Sequence, residues 1–201
     1  VKPEDFAAQM TYLAEHGYTT LSLYDLIDAL ATGRALPEKS VVVTFDDGYA
    51  GIFDHAMPVM RQWNQTGTVF VITEFVDQGR AEYLSWPVLK YLWEIGWSIE
   101  PHTKTHAGLQ GLSYAKQLYE MLGSIETVEA NIGARPRFFN YPSGSYDQTT
   151  LDLAPQLGLW GGVTTQGGWY HRYDDRYTLT RLRVTGNTDL LHFIEMVEYG
   201  R

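Results

Sequence analysis

Two adjacent carboxylates, Asp46 and Asp47, and two histidines four residues apart, His102 and His106, are the side chains whose types and spacing could do chemistry. Neighbouring carboxylates repel, so a fold that keeps both near one point needs a shared proton or a cation. Imidazoles at i and i+4 lie on one side of a helical turn, close enough to reach one metal ion. One carboxylate with both imidazoles makes three protein ligands and leaves positions open for water and substrate, as a catalytic metal requires. Taken alone, each motif has an ordinary reading. Asp-Gly is a strong hairpin signal, and a spaced His pair is commonly a solvated surface. Their placement changes the balance, because both follow apolar strands.

The strand ahead of the aspartates is Val41-Val42-Val43-Thr44-Phe45, a β-branched apolar run that ends in Asp46-Asp47-Gly48. A buried strand of this kind delivers acidic groups to a sheet rim. Residues 49–64 then read as helical, interrupted by Pro58, rather than as the second strand of a hairpin. Upstream of the histidines, residues 97–100 form a short strand that Pro101 holds extended at its exit. A third exit follows the strand 137–141, where Tyr141-Pro142-Ser143-Gly144 is either a plain turn after a buried aromatic strand or a turn that offers backbone N–H groups to an oxyanion. The remaining strands are expected at 19–23, 68–73, 162–165 and 179–184. Helices are expected at 3–16, with Phe6, Met10 and Leu13 on one face, at 24–30, from Ser85 to Gly96, from Ser113 through Val128, at 149–157, and from an Asn187 cap through Tyr199. Trp86, Trp93 and Trp97 read as core. Alternating strands and helices imply a parallel α/β architecture, a barrel or a doubly wound sheet, with function at the carboxyl ends of the strands.

The 201 residues suffice for one domain, 1–201, with a sizeable core. Hydrophobic content of 44% argues against disorder. A net charge of -9 disfavours nucleic acid, which calls for clustered Lys and Arg. No apolar run reaches the ~18 residues of a membrane span. With no cysteine, disulfides and thiolate metal sites are excluded. The chain opens Val1-Lys2-Pro3, without an initiator methionine or a leader, so a processed or trimmed product is expected.

Thr44-Phe45-Asp46-Asp47-Gly48-Tyr49, then His102-Thr103-x-x-His106, then the turn from Phe139 to Gly144, in this order, resemble the polysaccharide deacetylases of carbohydrate esterase family 4, the NodB-homology domain. Residues 3–30, Thr164-Thr165-x-Gly167 and Leu179-x-Arg181 are similar to the branch that deacetylates poly-β-1,6-N-acetylglucosamine in bacterial biofilms. The resemblance spans nearly the whole chain. It implies a distorted (β/α)7 barrel and one divalent metal ion (zinc, cobalt or nickel) held by Asp47, His102 and His106. Asp46 would be the base that takes a proton from the attacking water. The Tyr141 to Ser143 turn would contact substrate, with the Ser143 N–H at the oxyanion. The implied protein is secreted or cell-surface associated and monomeric, and acts on an N-acetylglucosamine polysaccharide.

Two positions depart from the family pattern. Asn140 stands where many members have an arginine that orients the base, a change shared with the biofilm branch. Leu190-Leu191-His192 matches a family acid only superficially, because the Asn187 cap places His192 inside a helix; the acid is expected from a histidine upstream of Val1. Trp169-Tyr170-His171-Arg172-Tyr173 could stack on sugar rings or be an ordinary aromatic loop, and His16 and His55 receive no role. Chitin oligomers, peptidoglycan and acetylated xylan are alternative substrates, and a weakly active sugar-binding domain is an alternative function. The two-His-one-carboxylate set also describes non-haem iron oxygenases, against which the strand-helix alternation and the second aspartate argue.

Overall fold

The computed structural model describes residues 1–200. Four of its helices begin where a side chain takes up a free N–H group of the first turn, whereas Ser85, at the start of the helix Trp86–Glu94, makes no such bond. Ser22 and Asp25 form a reciprocal capping box at α2 (Leu23–Thr32), which ends on Gly33 in the left-handed region. Ser113 caps α6 (Tyr114–Ile132) and Asp147 caps α7 (Gln148–Gln156). At the last helix, α8 (Leu190–Tyr199), the cap is Asp189 rather than Asn187: its carboxylate accepts from the His192 N–H at 2.8 Å. The helix α1 (Pro3–Glu15) buries Met10 and Leu13 as its periodicity requires. Pro58 does not break its segment. It falls in the first turn of α3 (Met57–Gln62), where its missing N–H is harmless, after a wider π turn over Ile52–Ala56.

The strands are short and all their ladders are parallel. Chain order gives β1 (Thr19–Thr20), β2 (Ser40–Val41), β3 (Thr44–Phe45), β4 (Thr68–Val71), β5 (Ser98–Pro101), β6 (Phe138–Asn140) and β7 (Gly161–Val163). Between them lie α4 (Thr73–Asp77), α5 (Trp86–Glu94) and the helices already named. The single strand expected at 41–45 is divided: Ser40 and Val41 pair with β1, whereas Thr44 and Phe45 pair with β4, so the chain changes neighbours at Val42-Val43. The last expected strand keeps only one bridge, Val163 to Leu179.

Thus the architecture is one α/β domain with ladders of two, three and two strands, and the expected (β/α)7 barrel is not closed by backbone pairing. Side chains span two of the gaps. Between β5 and β6, the buried Glu100 accepts from the N–H groups of Arg137 (3.0 Å) and Phe138 (2.8 Å) and from the Tyr24 hydroxyl (2.8 Å). Burial pushes its carboxyl up to about 8, the three donors opposing that shift. Between the last extended segment and β3, Arg181 reaches across to the Thr44 hydroxyl at 3.1 Å.

Helices α1, α3, α5 and α6 cover the β3–β5 ladder, and Val69, Val71, Leu89, Leu92 and Trp97 pack between the layers. Trp97 is core as expected, but Trp93 is exposed, because α5 turns Leu89 and Leu92 inward instead. No helix among the described residues is long and apolar enough to cross a membrane.

Candidate active site

All four chemically suggestive residues meet at the carboxyl ends of β3 and β5. Asp47 Oδ1 lies 3.4 Å from His102 Nε2 and 3.3 Å from His106 Nε2. Two ligand atoms each ~2.1 Å from one tetrahedral ion are themselves ~3.4 Å apart, so the spacing fits a shared cation. The orientation of His102 fits the same reading: its Nδ1 sits 2.8 Å from the Asn140 carbonyl, an acceptor only, so Nδ1 carries a proton and Nε2 is the ring nitrogen turned toward the Asp47 carboxylate, where a neutral imidazole can ligate. At His106, desolvation and then the neighbouring His102 imidazole lower the pKa, favouring the neutral form that ligates a metal.

Backbone conformation, not helical or strand periodicity, produces this convergence. Asp47 (φ 70°) and Gly48 (φ 81°) are both left-handed, and the Gly48 N–H bonds back to the Asp46 carbonyl at 2.9 Å. That reversal sends the two neighbouring carboxylates apart. Likewise, residues 102–106 are not a helical turn: Thr103 (φ 62°) and His106 (φ 65°) are left-handed residues of a loop. Such conformations cost of order 1–3 kcal/mol each and persist only when the surroundings impose them.

In the histidine loop the residue that holds them is Glu120, fully buried on α6. One carboxylate oxygen accepts from the Lys104 and Thr105 N–H groups, both at 3.0 Å, and the other accepts from the Thr105 hydroxyl at 2.9 Å. Sequence reading missed this residue. The available signal was a charge on the inward stripe of α6, beside Gln117, Met121, Ser124 and Ile125. In Glu120→Ala, the three loop donors and the Lys116 ammonium, 3.2 Å from the carboxylate, lose their acceptor and the His102–His106 loop is released. Affinity for a divalent ion should fall by about 10- to 100-fold. Calorimetric metal titration checks this, and an unchanged affinity would show that the clamp does not matter.

Asp46 is turned away from the imidazoles and gripped by Arg181, with Nη1 to Oδ1 at 2.7 Å and Nη2 to Oδ2 at 2.9 Å. Burial alone would push the Asp46 carboxyl up; the bonds and charge of Arg181 outweigh it and hold the group below the usual carboxylate range. Its side chain is 35% exposed, so each oxygen keeps a lone pair that water can reach. The arginine missing at position 140 is therefore supplied from a different strand position. Arg181 also contacts Asn140 Oδ1 at 3.4 Å and donates to the Thr164 carbonyl at 2.9 Å. Asn140 Nδ2 is buried without a partner beside this group.

At the third strand exit the two expected residues separate. Tyr141 is fully buried, its hydroxyl donating to the Tyr177 carbonyl at 3.0 Å and its N–H to Val163, so its side chain belongs to the core and not to a substrate surface. Ser143 is left-handed (φ 55°). The N–H groups of Gly144 and Ser145 are taken by Tyr141 and Pro142 carbonyls, whereas that of Ser143 gives no such bond among the described residues. It is the amide left over for an oxyanion. His192 is an exposed residue of α8, as the helical reading expected. A mainly apolar cavity of about 360 Å³ lies between residues 40–44 and 179–182, touching the site only through Thr44 and Arg181.

The polysaccharide deacetylase family model matches residues 33–161. Among known proteins, the chain is 33% identical over 185 residues to YxkH of Bacillus subtilis, a protein named for the polysaccharide deacetylases, covering 92% of this chain and 66% of that one. It is 25% identical over 199 residues to the poly-β-1,6-N-acetyl-D-glucosamine N-deacetylase of Staphylococcus epidermidis, covering 93% and 68% of the two chains. The Streptococcus pyogenes deacetylase PplD, solved in complex with acetate, superposes with a TM-score of 0.94 at 29% identity, covering 98% of this chain and 88% of that one. The chain thus spans about two thirds of the length of the curated relatives it matches end to end.

Proposed function

Because the chain belongs to the polysaccharide deacetylase family, hydrolases that act on N-acetyl amides, we propose that it removes N-acetyl groups from poly-β-1,6-N-acetyl-D-glucosamine. Acetate and a free amine are the products. The observation that carries the chemistry is the convergence of one ligand atom each from Asp47, His102 and His106 within 4.8 Å of one another, beside an arginine-held Asp46. The substrate reading draws its support from the name of the staphylococcal relative and from the replacement of the family arginine by Asn140. On this reading the seven strand positions form one interrupted barrel, and the protein works outside the cell on exopolysaccharide.

Asp47, His102 and His106 would hold one divalent ion, of which zinc, cobalt and nickel all suit imidazole and carboxylate donors. When bound, that ion supplies Lewis-acid activation of water and of the amide carbonyl. The protein's own groups activate the water, stabilise the oxyanion and aim the ligands. Asp46, ionised and fixed in direction by both bonds to Arg181, accepts the proton of the attacking water. The Ser143 N–H receives the negative charge that develops on the former carbonyl oxygen. Glu120 and the Asn140 carbonyl keep the two imidazoles aimed at one point.

An acetate-release assay on β-1,6- and β-1,4-linked N-acetylglucosamine oligomers tests the reading. Release from the β-1,6 series, greater than from the β-1,4 series, is the expected result. Release from neither, with a divalent ion still bound, would replace the enzyme by a sugar-binding module.

A further inference from the structure

Beside the metal-ligand cluster runs a row of aromatic side chains that the chemistry above does not use. Tyr49 follows Asp47 by two residues and is 49% exposed. Two residues of chain span at most ~7 Å, so the Tyr49 backbone lies within about one sugar unit of the reacting carboxylates. Its ring stacks on that of Tyr83, with centroids 5.0 Å apart and planes 23° from parallel. Phe75 meets Tyr83 edge-on at 5.0 Å, and the Arg80 guanidinium lies 3.7 Å over the Phe75 ring.

This row is hydrogen-bonded to the two loops that carry the four site residues. Residues 48–50 and 82–84 bridge antiparallel at Tyr49 and Tyr83, with the Ala50 N–H donating to Glu82 at 2.9 Å and the Leu84 N–H to Gly48 at 2.8 Å. Phe75 rides on α4, whose Thr73 and Glu74 N–H groups donate to the Thr103 and Lys104 carbonyls of the histidine loop. The ring faces are therefore held in position before any ligand arrives, which spares the ordering cost of binding. Proximity to the site is also felt electrically: burial, the Tyr49 hydroxyl and the Asp47 charge together raise the Tyr83 phenol above its ordinary value.

We infer that Tyr49, Tyr83, Phe75 and Arg80 form a subsite for the sugar unit next to the one being deacetylated. The chemistry of the ligand follows from the surface. A β-linked N-acetylhexosamine carries its substituents around the ring edge and leaves apolar C–H faces, which match an aromatic platform. The phenol hydroxyls can bond the edge hydroxyls. The exposed Trp169-Tyr170 pair, the other aromatic surface expected to stack on sugars, is less suited: Trp169 lies against Gly200 at the end of α8, not on either site loop.

The subsite rests on the reading of the chain as a glycan deacetylase, and binding in a turnover-defective background separates the two. Asp46→Asn protein would be titrated calorimetrically with β-1,6- and β-1,4-linked N-acetylglucosamine hexamers. Tyr49→Ala and Tyr83→Ala, added singly, should each weaken binding by roughly tenfold, and Tyr83→Phe should stay within about twofold of the parent. Trp63→Ala is the control, an exposed aromatic at the end of α3 that leads into the amino end of β4, away from the site; it should bind like the parent. Circular dichroism confirms folding, and two independent Ala variants guard against one that misfolds. Parent-like affinity in both, or no hexamer binding by the parent, overturns the inference. Tyrosine-dependent binding in a protein whose wild type releases no acetate would instead overturn the deacetylase reading and leave the subsite standing.

Discussion

In Asp46→Asn, acetate release falls by roughly 10²- to 10⁴-fold, the range a positioned general base contributes, while affinity for the divalent ion is retained. Asparagine preserves the shape of the side chain and the contact of its carbonyl oxygen with Arg181, but it removes the charge that accepts a proton. Asp47, His102 and His106 are not bonded to Asp46, so the ligand cluster is left intact. Steady-state kinetics with metal titration on the same preparation decide the matter. A variant as active as wild type excludes Asp46 as the base. Arg181→Met serves as a companion: the carboxylate remains but loses both directing bonds, and misplacement of this kind costs on the order of 10² in rate. Loss of metal affinity in Arg181→Met would instead mean that the arginine shapes the ligand cluster.

Asp47→Ala removes the one carboxylate that faces both imidazoles. The loss of metal affinity should exceed the 10- to 100-fold that loss of a supporting residue costs, and added divalent ion should not restore acetate release. In wild type, chelation abolishes release and a divalent ion restores it. A stability measurement gives an answer independent of activity. An ion at a hundred times its dissociation constant stabilises the native state by ~2.7 kcal/mol, worth about 5–10 °C in Tm for a domain of this size. That shift should appear in wild type and vanish in Asp47→Ala. An equal shift in both would place the ion elsewhere.

Much of the chemistry was readable because it is encoded locally. The apolar run 41–45 ending in Asp46-Asp47-Gly48 announces a buried strand with acidic residues at its exit, and the four-residue spacing of His102 and His106 survives as proximity. The helix start at Ser113 follows from a side chain that bonds the amide three residues on, whereas the caps at Ser22, Asp147 and Asp189 were seen only in the structure and Ser85 makes none. The order of strands and helices is enough to announce a parallel α/β chain, because parallel neighbours need crossover connections.

Other features lie beyond any local rule. The left-handed residues at Asp47, Thr103 and His106 are non-glycine positions that propensity would not place there. Those at Thr103 and His106 persist because Glu120 holds the amides between them, and that at Asp47 sits in a turn closed by the Gly48 N–H on the Asp46 carbonyl. Tyr141 looked like a substrate contact and is instead core, since its direction depends on Tyr177, 36 residues away. Trp93 lies four residues after Leu89, yet α5 turns Leu89 and Leu92 to the core and leaves Trp93 in solvent. The change of partner at Val42-Val43 depends on where β1 and β4 lie, not on the valines themselves.

By itself, then, the sequence determined which residues are available for chemistry and roughly where along the chain each strand presents them. Side-chain type and short-range periodicity are properties of a few consecutive residues. Only the tertiary structure decided how they are aimed. Arg181 supplies the guanidinium absent at position 140 from 135 residues beyond Asp46, and Glu120 clamps the histidine loop from the next helix. Such contacts form when the chain closes on itself, and their partners are chosen by burial and distance rather than by neighbouring sequence.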